Sequence, residues 1–197
     1  MTGGEDRRAP WEARWREGRT GWDRGGVNPA LTAWLEAGAI PGRNVLVPGA
    51  GRGYEVEALA RHGYAVTAVD IAAEACRSLQ EGLAEDGVEA RVVQADLLSW
   101  QPESRFDAVY EQTCLCALDP ADWPAYEQRL YSWLRPGGAL LALFMQTGQE
   151  GGPPFHCDVA AMAALFPSAR WRWPDEPPAD WPHPGGRREA GVRLIRR

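Results

Sequence analysis

Two hydrophobic patterns alternate along this chain. Dense apolar runs, NVLV (44–47), YAVTAVD (64–70), RVVQ (91–94), FDAVYE (106–111) and ALLALFM (139–145), have the length and residue types of strands. Between them, apolar residues return every three or four positions, as on one face of a helix. Asn28-Pro29 opens one such helix, with an N-cap side chain followed by proline, and Leu31, Trp34 and Leu35 share its face. YEVEALARH forms a second, closed by Gly63 as a left-handed cap. Further helices run from about Ala72 to Asp86 and from about Trp123 to Trp133. The second of these is expected to stop at Arg135-Pro136-Gly137-Gly138. Strands alternating with helices predict an α/β fold round a mostly parallel sheet. ALLALFM, apolar throughout, is expected to be a central strand covered on both faces. Beyond residue 146 the pattern loosens into loop, a short helix near Val159 to Phe166, a tryptophan- and proline-rich stretch and a last strand-like VRLI. The Pro/Gly-rich segments read as long loops over a site or a sheet edge.

The strands end beside polar residues, which matters because open α/β sheets bind ligands beyond the carboxyl ends of their strands. The first strand runs directly into Pro48-Gly49-Ala50-Gly51-Arg52-Gly53 and then a helix. Glycines there let the backbone approach a ligand closely. Asp70, 19 residues after Gly51 at the end of the next strand, can accept hydrogen bonds from two ribose hydroxyls, so the pair implies a nucleoside-containing cofactor. The spacing reads GxGxG, with Tyr54 where a dinucleotide fingerprint has its third glycine, which disfavours NAD. Asp96, after the third strand, is placed to accept from an adenine amino group. LRPGGALLALF is a turn and strand common in methyltransferases of this architecture. Each residue also has a plainer use: a tight turn for the glycines, a helix cap for Asp70, a cap or surface acid for Asp96.

Composition narrows the field. With 197 residues, 45% of them hydrophobic, one substantial core and a single domain over 1–197 are expected. A net charge of −6 argues against nucleic acid as a partner, since its binding rests on Lys and Arg pairing with phosphates. No apolar run reaches the roughly 18 residues of a membrane span, and the N-terminus lacks the apolar stretch of a secretion signal. A cytoplasmic monomer, with no membrane partner, is the expectation. The four cysteines, Cys76, Cys114, Cys116 and Cys157, read as reduced thiols.

The segments WEARWREGRTGWDRGGVNPAL, VLVPGAGRGYEVEALARHGYAVTAVDI, FDAVYEQTCLCALDP, LRPGGALLALF and GGPPF occur in that order. Together, over most of residues 11 to 166, they resemble the thiopurine S-methyltransferase superfamily, particularly its thiol and halide methyltransferase branch. The glycine loop is shared by all class I methyltransferases; the spacing of Trp11, Trp15 and Trp22 is more specific. The resemblance implies a Rossmann-like class I methyltransferase fold, with a mostly parallel seven-stranded sheet flanked by helices. It implies S-adenosyl-L-methionine as cofactor, and an N-terminal segment (1–28) folding over it as a lid. Implied cofactor contacts are Trp11, Trp15, Trp22, Gly49, Gly51, Asp70, Ile71, Asp96, Leu97 and, where some relatives have an aromatic residue, Gln112. Pro48 replaces the acid that many class I enzymes carry before the first glycine.

An aromatic face can hold a sulfonium and exclude water from it, and Trp11 and Trp15 lie one helical turn apart; alternatively the tryptophans only pack the N-terminal helix onto the domain. The expected acceptor is a small thiol or thiolate, or a related selenol, thiocyanate or halide. A thiolate is itself the attacking species, so no side chain is assigned as a catalytic base. The acceptor is expected between the lid, Glu111-Gln112-Thr113 and the loop Gly151 to Phe155, with Arg24 or Arg19 attracting an anion. Three readings compete: transfer to oxygen or nitrogen with Glu111 as base, a dinucleotide oxidoreductase, and metal or metalloid binding at Cys114-x-Cys116 with His156-Cys157. The last lacks the spacing of a structural zinc site, and no metal is expected.

Overall fold

A computed structural model describes residues 7–197. The first six residues of the expected 1–28 lid therefore lie outside the described residues. In chain order the elements are α1 (Arg8–Arg16), α2 (Pro29–Glu36), β1 (Asn44–Pro48), α3 (Tyr54–Arg61), β2 (Ala65–Asp70), α4 (Ala73–Glu85), β3 (Arg91–Gln94) and β4 (Phe106–Gln112). There follow α5 (Trp123–Trp133), β5 (Leu134–Gln146), α6 (Val159–Leu165), β6 (Trp171–Arg172), β7 (Ala179–His183) and β8 (Arg187–Arg196).

The sheet order is β3-β2-β1-β4-β5-β8-β6. The first five positions are parallel, and β8 runs antiparallel to β5. The outer edge of β8 is shared, β6 pairing with its end at Ile195 and Arg196 and β7 with Arg187 to Gly191. The sheet is thus seven positions wide, as expected, but eight strands fill it. From β1 the chain steps outward to β2 and β3, then returns to β4 on the other side. The crevice at such a reversal, beyond the carboxyl ends of β1 and β4, is where ligands of open α/β sheets bind.

One apolar cluster fills each face. Alternate residues of β5 serve the two, Leu140, Ala142 and Phe144 on one face and Ala139, Leu141 and Leu143 on the other, so this strand is the covered central one its composition predicts. Local chemistry sets the helix ends as expected: Asn28 Oδ1 accepts from Ala30 N–H (2.9 Å), and Gly63, past the end of α3, has φ 84°.

Two segments differ from expectation. Helix α5 ends at Trp133, before Arg135 to Gly138 as expected, but that stretch already belongs to β5, which starts at Leu134, opposite Phe106, and whose register slips by a bulge before Ala108. Gly138 is required there, because a Cβ would lie 2.9 Å from Arg135 O and 3.0 Å from Asp107 O. The tryptophan- and proline-rich stretch forms β7 rather than a long loop, and the last strand is longer than VRLI. Pro182 is tolerated in β7 because that strand has only one neighbour, and an edge strand can do without an outward N–H.

Candidate active site

The glycine loop lies at the crevice. Gly49, Gly51 and Gly53 all have positive φ (61°, 55° and 80°), a conformation that β-carbon-bearing residues rarely adopt. The three have separate uses. A Cβ at Gly49 would sit 2.9 Å from Cys114 Sγ, and one at Gly53 would overlap Leu79 of α4. At Gly51 the space is open, and Trp22 Nε1, at 3.9 Å from the position of a Cβ, is the nearest atom. Gly49 N–H donates to Val69 O (2.8 Å), and Gly51 N–H to Asp70 Oδ2 (3.0 Å). The other Asp70 oxygen accepts from Ala72 N–H (2.9 Å). Asp70 therefore fastens the loop to the end of β2. Burial raises its pKa, and these N–H donors oppose the shift. A carboxylate has about four lone-pair sites, so these donors leave room for a ligand.

A cleft covers the loop. Its walls include Trp22, Arg24, Gly49 to Glu55, Tyr110, Gln112 and Thr113, so the N-terminal segment, the glycine loop and the β4 end meet there. The tryptophans form a nest in which Trp22 faces the cleft. Trp11 and Trp15 meet it edge-on from behind, with ring centroids 5.5 and 6.0 Å away. The Arg52 guanidinium lies 5.3 Å from the Trp15 ring and also pairs with Asp23. Asp96 and Leu97 lie outside the cleft walls. Asp96 accepts from Leu98 N–H (2.9 Å) and faces Arg7 (3.4 Å), while the Leu97 side chain is buried in the core. Ile71 follows Asp70, its carbonyl accepting from Gln94 (3.4 Å).

The expected acceptor surroundings are only partly brought together. Glu111 alternates with Tyr110 and Gln112 along β4, so it points through the sheet into the other cluster. There Oε1 accepts from Leu115 N–H (2.6 Å), Oε2 is buried without a hydrogen-bond partner among the described residues, and burial pushes the pKa up to about 7. The loop Gly151 to Phe155 is tied to Cys116 O through Phe155 N–H (2.7 Å) and lines no part of the cleft. Arg19 is exposed on Glu17 (2.5 Å), whereas Arg24 is in the wall.

Thr113, expected beside the acceptor, sits at the β4 end with φ 53°, an unusual backbone for a β-branched residue. Several other wall residues escaped the sequence reading. Asp23 accepts from Gly25 N–H (2.9 Å) and Tyr54 OH (3.2 Å). Burial works against its charge, but these bonds and Arg52 bring its pKa below the ordinary value. Glu55 accepts from Asn28 N–H (2.9 Å), and Tyr110 OH donates to Gln112 Oε1 (2.7 Å). Behind Arg24 stands Glu189, fully buried, with its pKa pushed up to about 7 by that burial. Cys114 and Cys116 are buried among apolar side chains, which raises their thiol pKa values well above ordinary. Among the described residues, no cluster of three or more His, Cys, Asp or Glu is placed to hold a metal ion, and no helix is long and apolar enough to cross a membrane.

A glycine loop after β1, an acid closing β2 and a seven-position sheet with its last long strand antiparallel define a class I, Rossmann-like methyltransferase fold. The structure of a Burkholderia thailandensis 1,6-didemethyltoxoflavin-N1-methyltransferase superposes with a TM-score of 0.77 at 23% identity, covering 96% of this chain and 86% of that one. The family model described as Thiopurine S-methyltransferase (TPMT) matches residues 7–196, and the chain belongs to this family of methyltransferases. It is 33% identical over 153 residues to a probable thiol methyltransferase 2 of Arabidopsis thaliana, covering 76% of this chain and 68% of the relative. To thiocyanate methyltransferase 1 of the same plant it is 32% identical over 159 residues, covering 79% and 70%.

Proposed function

We propose that the chain methylates a small sulfur nucleophile that reaches the cleft already anionic, a thiolate or thiocyanate, with selenols and halides as chemical neighbours. One observation carries this reading: the acid and base groups in the cleft wall are all engaged. Asp23 is held by Arg52 and Tyr54, Glu55 receives the Asn28 N–H, and the Tyr110 hydroxyl is spent on Gln112. No histidine lines the cleft. The cationic Arg24 in the same wall favours an anion. A thiolate needs no base, whereas transfer to a neutral oxygen or nitrogen finds no support from Glu111, which faces away. The names of the similar proteins, a probable thiol and a thiocyanate methyltransferase, agree with this choice.

S-adenosylmethionine, when bound, supplies an electrophilic methyl group on a sulfonium. Gly51 leaves the loop backbone bare for its approach, Gly49 lets the loop pass close to Cys114, and Asp70 keeps lone pairs for ribose hydroxyls. Ile71, Asp96 and Leu97, beside the ends of β2 and β3, are assigned to the nucleoside end, and Gln112 to the end nearer the acceptor. Residues 1–28 act as the lid of a single domain spanning 1–197. Trp22 presents an aromatic face to the cleft, and Trp11 and Trp15 hold that indole from behind. The work of these residues is alignment and exclusion of water, the main demands of an in-line displacement.

Incubation with radiolabelled S-adenosylmethionine and a panel of thiols, thiocyanate, selenols, halides, phenols and amines tests this. Transfer to the anionic sulfur acceptors, rising with their ionised fraction, is expected. Binding of cofactor with transfer only to oxygen or nitrogen would overturn the acceptor class.

A further inference from the structure

The lid is attached in two chemically different ways. Its outer contacts are surface ones: Arg7 reaches Asp96 (3.4 Å) and Asp122 (3.2 Å), and Glu12 accepts from Ala73 N–H (2.7 Å). Solvent-exposed pairs of this kind contribute little and break readily. The root of the segment is built differently. Asn28 is fully buried; while Oδ1 caps α2, its amide donates to Glu189 Oε2 (2.9 Å) and its backbone N–H donates to Glu55 Oε1 (2.9 Å). Arg24 directs Nη1 at the same Glu189 oxygen (3.5 Å) and donates through Nη2 to Pro182 O (3.0 Å).

Glu189 comes from β8, 165 residues beyond Arg24 in the chain, and is 0% exposed. Its other oxygen, Oε1, is buried with no hydrogen-bond partner among the described residues. A buried carboxylate in that condition costs stability unless charge and donors compensate. Both donors that do so belong to the lid's root. Just N-terminal to Arg24 lie Gly18 (φ 64°) and Gly21, each with open space where a Cβ would be, so the chain is free to bend there.

The geometry points to Glu189 as the pivot of the lid: a positioning residue that holds Arg24 and Asn28 in place while the residues before Arg24 lift from the cleft and close on it. This rests on reading the N-terminal segment as a lid over the cofactor. It gives the C-terminal hairpin of β7 and β8 a part in the site, since the anchor of the cleft's cationic wall residue lies on that hairpin.

Hydrogen exchange followed by mass spectrometry on the full chain tests the pivot, comparing wild type, Glu189→Gln, Arg24→Gln and the double variant, with and without S-adenosylhomocysteine. Each single variant is expected to quicken exchange across residues 18–28 severalfold while β1, β4 and β5 keep their protection. Loss of one charge-assisted contact should weaken S-adenosylhomocysteine about tenfold and raise the KM for S-adenosylmethionine more than it lowers kcat. The double variant should be no worse than the more affected single one, because the pair acts as a unit. Arg24→Lys should recover part of the loss, and it carries the test with Arg24→Gln if Glu189→Gln does not fold. Unchanged exchange in residues 18–28, or additive effects of the two substitutions, would overturn the pivot. Failure of the methyltransferase reading would show separately, as a wild-type protein that does not bind S-adenosylhomocysteine, and the contrast in exchange in the ligand-free protein would still decide the pivot.

Discussion

Asp70 lies outside the cleft walls but fastens the glycine loop that forms them, so the shape of the loop depends on it. It receives the Gly51 and Ala72 N–H groups and so shapes the loop it is assigned to share with a ribose. Asp70→Ala should weaken S-adenosylhomocysteine by about 100-fold in calorimetry, the worth of one or two hydrogen bonds to a charged group. Asp70→Asn, which keeps an acceptor but no charge, should cost about tenfold. Affinity unchanged in both would remove Asp70 from the site. The tryptophans differ in rank. Trp22 faces the cleft while Trp11 and Trp15 back it, so Trp22→Ala should cost more affinity than either of the others. A larger loss at Trp11 would place the nest the other way round. The loop glycines, Asp70 and the tryptophan spacing were legible in the sequence because each rests on a backbone demand or a fixed local repeat. Asp23 and Glu189 were not, because what makes them wall or anchor is contact with residues far along the chain.

Among the elements, β4 shows most plainly what alternation decides. Tyr110 and Gln112 face the cleft and Glu111 faces the opposite core, although all three are adjacent in sequence. The folded pKa of Glu111, pushed up to about 7 by burial, lies above the ordinary carboxylate value. The protonated form is therefore the one the fold favours, and its contribution is fully present at low pH and lost as pH rises through about 7. Burial raises Glu189 too, but there the Asn28 hydrogen bond and the Arg24 charge oppose the shift. Glu111→Gln should leave the melting temperature near pH 5 little changed and raise it near pH 8. At one pKa unit per 1.4 kcal/mol, the gain is about 2 to 3 kcal/mol. Denaturation at the two pH values measures it, and a gain that does not depend on pH would contradict the assignment.

On the scale of the whole molecule, the N-terminal segment proposed as the lid is peripheral to the fold, with Trp22 in the cleft wall. No residue of α1 is buried, and its attachments are surface contacts. Deletion of residues 1–21 should therefore leave the circular dichroism and the melting temperature nearly unchanged, and reduce affinity for S-adenosylhomocysteine at least about tenfold. Loss of folding would show that the tryptophan nest belongs to the core instead.

The sequence by itself determined the alternating elements, the covered central strand, the loop with its acid and the family, because these rest on periodicity, glycine backbone freedom and ordered local motifs. Only the tertiary structure decided the rest. It sent Glu111 away from the cleft and the loop Gly151 to Phe155 off its wall, and it turned a proline-rich stretch into an edge strand. It also joined Arg24 to Glu189 across 165 residues. Those outcomes depend on which strand neighbours which and on which face is covered, and the packing of distant segments sets both.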